Sequence, residues 1–197
     1  PSIFVTFYIC DGSAGFARLD DRSKFVSRDK EREKVMGNRE SVRGTVQIER
    51  PPSEVFAYIA DFRHDPAWRR EVLSVKYTTP EPVAAAGSQC VEIARAAGRK
   101  RESWQEVLRC EKDASIACAT FKAIHRQVSE RTVRRADGGS ELEIRIRYRT
   151  GQAWRDRLLG PIRRRLAQRR LNRNLLKLKQ LLEDRPIDGI VADGGRG

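Results

Sequence analysis

The chain of 197 residues has few of the side chains that build metal sites and disulfide frameworks. It contains only two histidines, His64 and His125, and four cysteines, none of which form a CxxC pair. A zinc site of the Cys/His type is therefore disfavoured. The sequence also lacks a P-loop, a dinucleotide-binding glycine pattern and a Ser/His/Asp arrangement. We expect no metal and no cofactor.

Two of the cysteines flank a predicted turn. Cys110 and Cys118 lie on either side of residues 113–115, so they could face each other across a hairpin. The alternative is that both are small buried apolar residues in a reducing cytoplasm, and we favour this second interpretation.

Long hydrophobic runs are missing as well. The longest one near the amino terminus, Ile3–Cys10, is too short to span a bilayer. It is not preceded by a basic segment, so it is also a poor signal peptide. We therefore expect a cytoplasmic protein.

Acidic residues are scarce compared with basic ones. The chain has 27 Asp and Glu against 40 Lys and Arg, which gives a formal net charge of +13. The excess is concentrated between Arg155 and Arg173, where eight arginines accompany a single acid, Asp156. A basic surface of this kind favours phosphate backbones, acidic lipid head groups or acidic proteins.

The basic stretch has a second interpretation, which is a solvated helix face in an Arg-rich protein. Nucleic-acid binding would usually add aromatic stacking residues, and only Trp154 lies nearby, so a nucleic-acid partner is disfavoured. An anionic membrane surface remains a candidate partner. The candidate basic surface consists of Arg163, Arg164, Arg165, Arg169, Arg170 and Arg173.

Periodic patterning divides the chain into three parts. Residues 1–41 contain few core candidates and are expected to form a loosely attached extension. Residues 42–184 are expected to form one domain, and the glycine-rich residues 185–197 a disordered tail. Met36 is the only methionine, so one hypothesis places the natural start there.

The domain begins with a strand and two short helices. Val42, Gly44, Val46 and Ile48 alternate with polar residues, which predicts a strand with one buried face. Pro51-Pro52-Ser53 then ends this strand and begins a helix, and a second short helix or turn surrounds Asp65-Pro66. Further strands are predicted over Glu71–Thr79, Gly87–Arg95, Lys100–Glu111, Ser115–Ala123, Gln127–Arg135 and a final strand that includes Leu142–Tyr148.

The last predicted element is a long helix from Pro161 to Asp184. Its start is placed at Pro161 because proline is tolerated in a first helical turn. Leu171, Leu175 and Leu178 recur on one face of it. A single amphipathic helix can bury such a stripe only across one face of the sheet. We therefore predict an α+β fold in which a curved antiparallel sheet of about seven strands is closed by this helix, with a gap between them.

Three stretches resemble the START-like or SRPBCC superfamily, and within it the polyketide cyclase/dehydrase and lipid-transport group. The first lies within Val46–Asp61 and includes QIERPPSEVFAYIAD, the second is Asp65-Pro66-Ala67-Trp68, and the third runs from Leu159-Gly160-Pro161 to Glu183. The resemblance covers residues 42–184 and implies a helix-grip fold with a hydrophobic cavity. The superfamily includes ligand carriers, cyclases, hydroxylase domains and chaperone partners, so the resemblance transfers no catalytic residue.

The cavity of such a fold would be lined by the inner face of the sheet and by the closing helix. Aromatic residues are the best candidates, because they combine an apolar body with a polar handle. The alternative is that most of these residues only fill the core. The candidates are Trp68, Tyr77, Trp104, Phe121, Ile144, Ile146, Tyr148, Leu171, Leu175 and Leu178.

Glu106 is the leading candidate for a catalytic residue. It shares a strand face with Trp104, so if Trp104 points inward, Glu106 does too and could act as a base with a raised pKa. The preferred alternative is that Glu106 points outward. His64 and His125 are further candidates for a general base. Both lie near predicted turns, so the expected role of each is a solvent-facing polar one.

These features lead to three functional hypotheses. The first is binding, including transport, of a small hydrophobic ligand such as a lipid or polyketide. The second is an aromatase/cyclase-type enzyme acting on a polyketide in the same cavity. The third is a module that binds a membrane surface or a protein partner through its Arg-rich helix.

Overall fold

The computed structural model describes residues 39–80, 84–96, 98–122, 127–149 and 153–184. Within these ranges the α+β architecture predicted from the sequence is confirmed. The elements are β1 (Arg39–Ile48), α1 (Pro52–Ala60), a 3₁₀ turn (Phe62–His64), α2 (Asp65–Trp68), β2 (Val72–Tyr77), β3 (Gln89–Ala96), β4 (Arg99–Glu111), β5 (Ser115–Lys122), β6 (Gln127–Ala136), β7 (Gly139–Arg149) and α3 (Ala153–Glu183).

The seven strands form one antiparallel sheet in the order β1-β7-β6-β5-β4-β3-β2. Strands β2 to β7 follow one another as a meander, and β1 pairs with the last strand. The sheet is curled into a half-barrel. Strand β1 begins at Arg39, three residues before the predicted start of the domain. The rest of the predicted extension, and the predicted tail, lie outside the described residues.

Strand β1 follows the predicted alternation. Val42, Gly44 and Ile48 are buried, whereas the polar residues between them are exposed. Val42 lies opposite Ile146 of β7, and Gly44 opposite Ile144. The buried side of this strand pair therefore faces the helices and defines the inner face of the sheet.

Glycine allows two close approaches in the fold. A Cβ atom added at Gly44 would lie 2.6 Å from Leu175 Cδ1 and 3.1 Å from Leu171 Cγ, so these leucine side chains of α3 would have to shift. A Cβ atom added at Gly139 would overlap the carbonyl oxygen of Ile48, which is backbone and cannot move aside. Gly139 is therefore required for the backbone contact with β1, whereas Gly44 allows the leucines of α3 to pack closely on that strand.

Helix α3 packs through a leucine stripe. Leu171, Leu175, Leu178 and Leu182 are almost fully buried against the core, as their spacing predicts. Fully burying one leucine side chain contributes roughly 1.5–3 kcal/mol, so this stripe is a principal attachment of the helix.

The predicted start of α3 is wrong. The helix begins at Ala153, and Pro161 lies inside it rather than in its first turn. Proline removes one backbone hydrogen bond and crowds the carbonyl four residues earlier, but the helix can continue on both sides of such a defect. A Gly-Pro pair therefore does not mark a helix start unless the preceding residues are unable to form a helix.

Helix α1 and the two short turns that follow it cover part of the inner face. Pro52 occupies the first helical turn, as predicted. Val55, Phe56 and Ile59 form its buried side, and Tyr58 is buried as well. This segment brings Phe62, Asp65 and Trp68 against the sheet, and all three are buried.

Candidate functional site

The register of the sheet determines which residues share its inner face. Starting from the buried Ile144, each cross-strand pair places its two side chains on the same side, so the inner face can be followed from β7 to β2. Beyond the apolar core of β1 and β7, this face combines apolar residues, among them Val75, Val107 and Ile116, with polar ones. The polar and aromatic members that matter for the site, with the neighbouring Ile146, are Tyr77, Cys90, Glu92, Gln105, Cys118, Ser129, Arg131 and Tyr148.

Tyr77 is a half-buried hydrogen-bonding group on this face. Its hydroxyl oxygen accepts a hydrogen bond from the backbone N–H of Phe62 at 3.1 Å, and the two rings are stacked with centroids 6.3 Å apart. Burial raises the pKa of Tyr77 above its usual value, so the phenol keeps its proton. Among the described residues, that proton meets no acceptor. It is therefore available to a ligand oxygen.

Arg131 and Asp65 form a buried ion pair between the inner face and the short helices that cover it. Arg131 Nη1 lies 2.8 Å from Asp65 Oδ1 and Nη2 lies 2.5 Å from Oδ2, and Nη1 also donates to the carbonyl of Ile59 at 2.7 Å. The guanidinium lies over the rings of Phe62 and Trp68, at 4.6 Å and 5.3 Å from their centroids. This pair fixes the short helices against β6.

The electrostatics of the pair keep both groups charged. Burial opposes ionisation of Asp65, but the positive charges of Arg131 and Arg69 outweigh it, so the pKa of Asp65 lies below 3.8. Burial likewise opposes the charge of Arg131, and Asp65 reverses this effect, so the pKa of Arg131 is raised. The site therefore carries fixed charges at neutral pH.

Arg69 extends the pair into a network. Its Nη1 atom contacts Asp65 at 2.9 Å and Glu92 at 2.7 Å, and its Nε atom lies 3.6 Å from Glu71. Asn174 of α3 donates to both carboxylate oxygens of Glu71, at 3.0 and 3.1 Å. The network thus joins α2, β3 and the closing helix in one set of polar contacts.

Two thiols lie beside this network. Burial raises the pKa of Cys90 to about 12 and that of Cys118 to about 11, so neither is a thiolate at neutral pH. Cys118 donates weakly to Gln105 Oε1 at 3.5 Å. Cys90, Cys110 and Cys118 are free thiols. Cys110 pairs with Ile116 and Cys118 with Val107, so the hairpin does not place these two cysteines opposite each other.

The register corrects two predicted cavity residues. Trp104 alternates with the buried Gln105 and Val107, so it points to the outer face, where its indole donates to Glu102 at 2.7 Å. Phe121 occupies an irregular position in the β4–β5 pairing, is 42% exposed, and packs edge-on against Trp104. Neither ring faces the helices, so the prediction that they line the cavity is wrong.

Glu106 lies on the same outer face as Trp104. Its neighbours across the sheet are Gln89 and Ala119. The favoured alternative, in which Glu106 points outward, therefore agrees with the structure. The described geometry gives it no route to a ligand on the inner face.

The other predicted cavity residues fall into two groups. Tyr77, Ile146 and Tyr148 are half-buried on the inner face, so they are placed where a ligand could touch them. The remaining ones are buried in the hydrophobic core, where their contact with a ligand stays a prediction. These are Trp68, Ile144, Leu171, Leu175 and Leu178.

His64 makes only local contacts among the described residues. His64 stacks on Tyr58 with ring centroids 4.4 Å apart, and its Nδ1 atom lies 3.0 Å from the carbonyl oxygen of Tyr58. His125 lies outside the described residues. No group of three or more metal-ligating side chains occurs in the part of the chain that the structure describes.

Sequence reasoning missed the ion pair of Asp65 and Arg131. The strand Gln127–Ala136 mixes polar and apolar residues on both faces, so its inner side could not be assigned from alternation. The available signal was the position of Arg131, two residues before Val133 on the same face. An arginine at an inward position requires a buried acid, and Asp65 begins the short helix opposite it.

A family model described as polyketide cyclase / dehydrase and lipid transport matches residues 39–183. The chain belongs to this family. The match spans every described helix and strand, including the inner-face residues and the ion-pair network. No curated protein matches the chain.

Solved structures show the same fold at low sequence identity. A protein from Thermus thermophilus superposes with a TM-score of 0.63 at 18% identity, covering 73% of this chain and 97% of its own. The Zhui aromatase/cyclase from a Streptomyces species gives 0.63 at 16% identity, covering 81% and 100%. A START superfamily protein from Mycobacterium smegmatis gives 0.61 at 15% identity, covering 73% and 97%. The predicted START-like architecture is thereby confirmed.

No helix in the described part of the chain is both long and apolar enough to cross a membrane.

Proposed function

We propose that the protein binds a small, mostly apolar molecule that carries oxygen atoms, held against the inner face of the sheet. The family is described by polyketide chemistry and lipid transport, which supports an apolar ligand. The observation that carries the proposal is the Tyr77 hydroxyl, which accepts from the Phe62 N–H and retains a proton for a ligand.

The composition of the inner face favours an oxygenated ligand over a plain hydrocarbon. Gln105 and Ser129 bring polar side chains to inner-face positions where aliphatic side chains would suit a purely apolar ligand better. A ligand with carbonyl or hydroxyl groups can hydrogen-bond to such residues, whereas a hydrocarbon would offer them no hydrogen bond. Ile146 and Tyr148 provide apolar contact beside them.

Mass spectrometry under native conditions, on protein purified from its own host, tests the first part of this proposal. A reproducible extra mass that is extracted by organic solvent supports a bound apolar molecule. Protein that carries no such mass and binds no apolar probe would contradict it.

Fluorenone and fluorene test the role of the oxygen, because they differ in a carbonyl group and have similar shapes. We expect the variant Tyr77→Phe to bind fluorenone about two- to tenfold more weakly, the worth of one neutral hydrogen bond. Binding of fluorene should not change. Glu106→Gln is the control, since Glu106 is on the outer face. An equal loss for both probes would argue against a hydrogen bond from Tyr77.

A second candidate is cyclase or dehydrase activity on a polyketide, which the family description names. The same protonated hydroxyl of Tyr77 favours it, because a phenol can donate to a developing oxyanion. Incubation with a short synthetic β-polyketone, followed by mass spectrometry, would detect loss of water. Unchanged substrate would leave binding as the function, and full turnover by Tyr77→Phe would remove Tyr77 as the acid.

A further inference from the structure

The face of α3 that points away from the sheet has an unusual composition. Ile162, Leu166 and Leu176 are 58%, 54% and 58% exposed, and they make up three of the five large exposed hydrophobic residues in the described chain. Isolated exposed apolar residues are common, but three on one helix face form a surface.

These apolar residues are surrounded by positive charge. All six predicted basic-surface residues are exposed, and no acid occurs between Ile162 and Leu182. Five of these arginines form no ion pair with any described residue. They are Arg164, Arg165, Arg169, Arg170 and Arg173. The field of this surface is therefore not neutralised locally.

Helical geometry places the exposed aliphatic side chains and several of the arginines on the same side of α3. At about 100° per residue, Ile162, Leu166 and Leu176 fall with Arg165, Arg169 and Arg173 inside an arc of about 100°. This arc lies opposite the buried stripe that contains Leu171 and Leu175. We call it the outer face of α3, defined by Ile162, Arg165, Leu166, Arg169, Arg173 and Leu176.

We propose that the outer face of α3 docks on anionic lipid membranes. The arginines attract the negative surface, and the three aliphatic side chains enter the boundary between head groups and acyl chains. Because the opposite face of the helix stays buried in the fold, docking is shallow and does not require unfolding.

The aliphatic residues of the outer face favour a membrane over a nucleic acid as its partner. A nucleic-acid surface would pair arginines with aromatic side chains that stack on bases. The described part of this face contains aliphatic residues instead, which gain nothing from a phosphate backbone but are stabilised in a lipid interface. The proposal stands on this surface alone and does not depend on what the inner face binds.

Co-sedimentation with vesicles tests the proposal. The full chain is mixed with vesicles of phosphatidylcholine alone, and with vesicles that also contain phosphatidylglycerol. We expect binding only to the anionic vesicles, weakening as salt rises. The triple variant Arg165→Gln, Arg169→Gln, Arg173→Gln should bind about a hundredfold more weakly at low salt.

Two further variants distinguish binding through the outer face of α3 from attraction by the overall positive charge of the protein. Arg99→Gln, Arg101→Gln, Arg134→Gln removes the same charge from exposed positions elsewhere and should retain nearly full binding. Ile162→Ser, Leu166→Ser, Leu176→Ser should weaken binding about tenfold while keeping its salt dependence. All substituted side chains are exposed, so the fold should persist, and thermal unfolding checks this.

Three results would overturn the proposal: equal binding to neutral vesicles, an equal loss in the control triple variant, or tighter binding of a single-stranded oligonucleotide than of anionic vesicles. Fluorenone binding by the same variants should be unchanged, so failure of docking and failure of ligand binding are measured separately.

Discussion

Arg131 of β6 holds both carboxylate oxygens of Asp65, and the pair lies almost completely out of solvent beneath Phe62 and Trp68. Removing one partner of such a pair leaves the other charge buried without compensation. The contact therefore determines whether α2 can remain against the sheet.

We expect Arg131→Met to lower the free energy of unfolding by about 3–5 kcal/mol. Arg109→Met is the control, because Arg109 also contacts an acid, Glu130, at 2.8 Å but is half exposed. That substitution should cost less than about 1 kcal/mol. Urea unfolding measures both values, and a similar cost for the two variants would contradict the structural role of the buried pair.

The pH dependence of stability follows from the lowered pKa of Asp65. Its pKa is lower in the folded state than in the unfolded chain, where it is near 3.8, so ionised Asp65 stabilises the fold. This contribution is fully present above the unfolded value and is lost as the pH falls through the folded value. Urea unfolding between about pH 5 and pH 2 should show a steeper loss for the native sequence than for Asp65→Asn. Parallel curves would contradict this assignment.

Two adjacent glycines should differ in their response to alanine. Gly139→Ala places a methyl group against the Ile48 carbonyl, so the strand pair must separate and the free energy of unfolding should fall by about 3 kcal/mol or more. Gly138 has φ of +79° but open space around it, so Gly138→Ala carries only the conformational cost of about 1 kcal/mol. Thermal unfolding distinguishes them, and a larger effect at Gly138 would be the contrary result.

Two neighbouring leucines of α3 test its division into faces. Leu175 is 2% exposed and Leu176 is 58% exposed. Leu175→Ala should cost about 2–5 kcal/mol, because it opens a cavity against Gly44 and the core. Leu176→Ala should change stability by less than about 0.5 kcal/mol. Chemical denaturation measures both, and a large cost for Leu176→Ala would mean that the outer face is covered.

Local patterns are sufficient to predict the order of elements. Val42–Ile48 alternates cleanly because one side of β1 is buried, and Leu171–Leu182 repeats at helical spacing because α3 packs on one side. The predicted start of α3 is wrong because the first-turn preference of proline does not hold at Pro161, where the sequence is helical on both sides.

The site is less predictable, because its residues come together only through the register of the sheet. Trp104 and Phe121 have suitable chemistry, but a shift of one residue moves a side chain to the other face, and the irregular β4–β5 pairing hides that parity. Asp65 and Arg131 are 66 residues apart, and no local pattern connects them.

Helix α3 presents Leu171, Leu175, Leu178 and Leu182 to the core and a basic, aliphatic surface to solvent. The side chains of the two faces lie on opposite sides of the helix, so substitutions on one face should add to those on the other without interaction energy. The outer face of α3 can consequently change in charge or apolar area while the leucine stripe keeps the helix in place. Within one chain, the proposed docking surface and the proposed ligand-binding surface can therefore diverge independently.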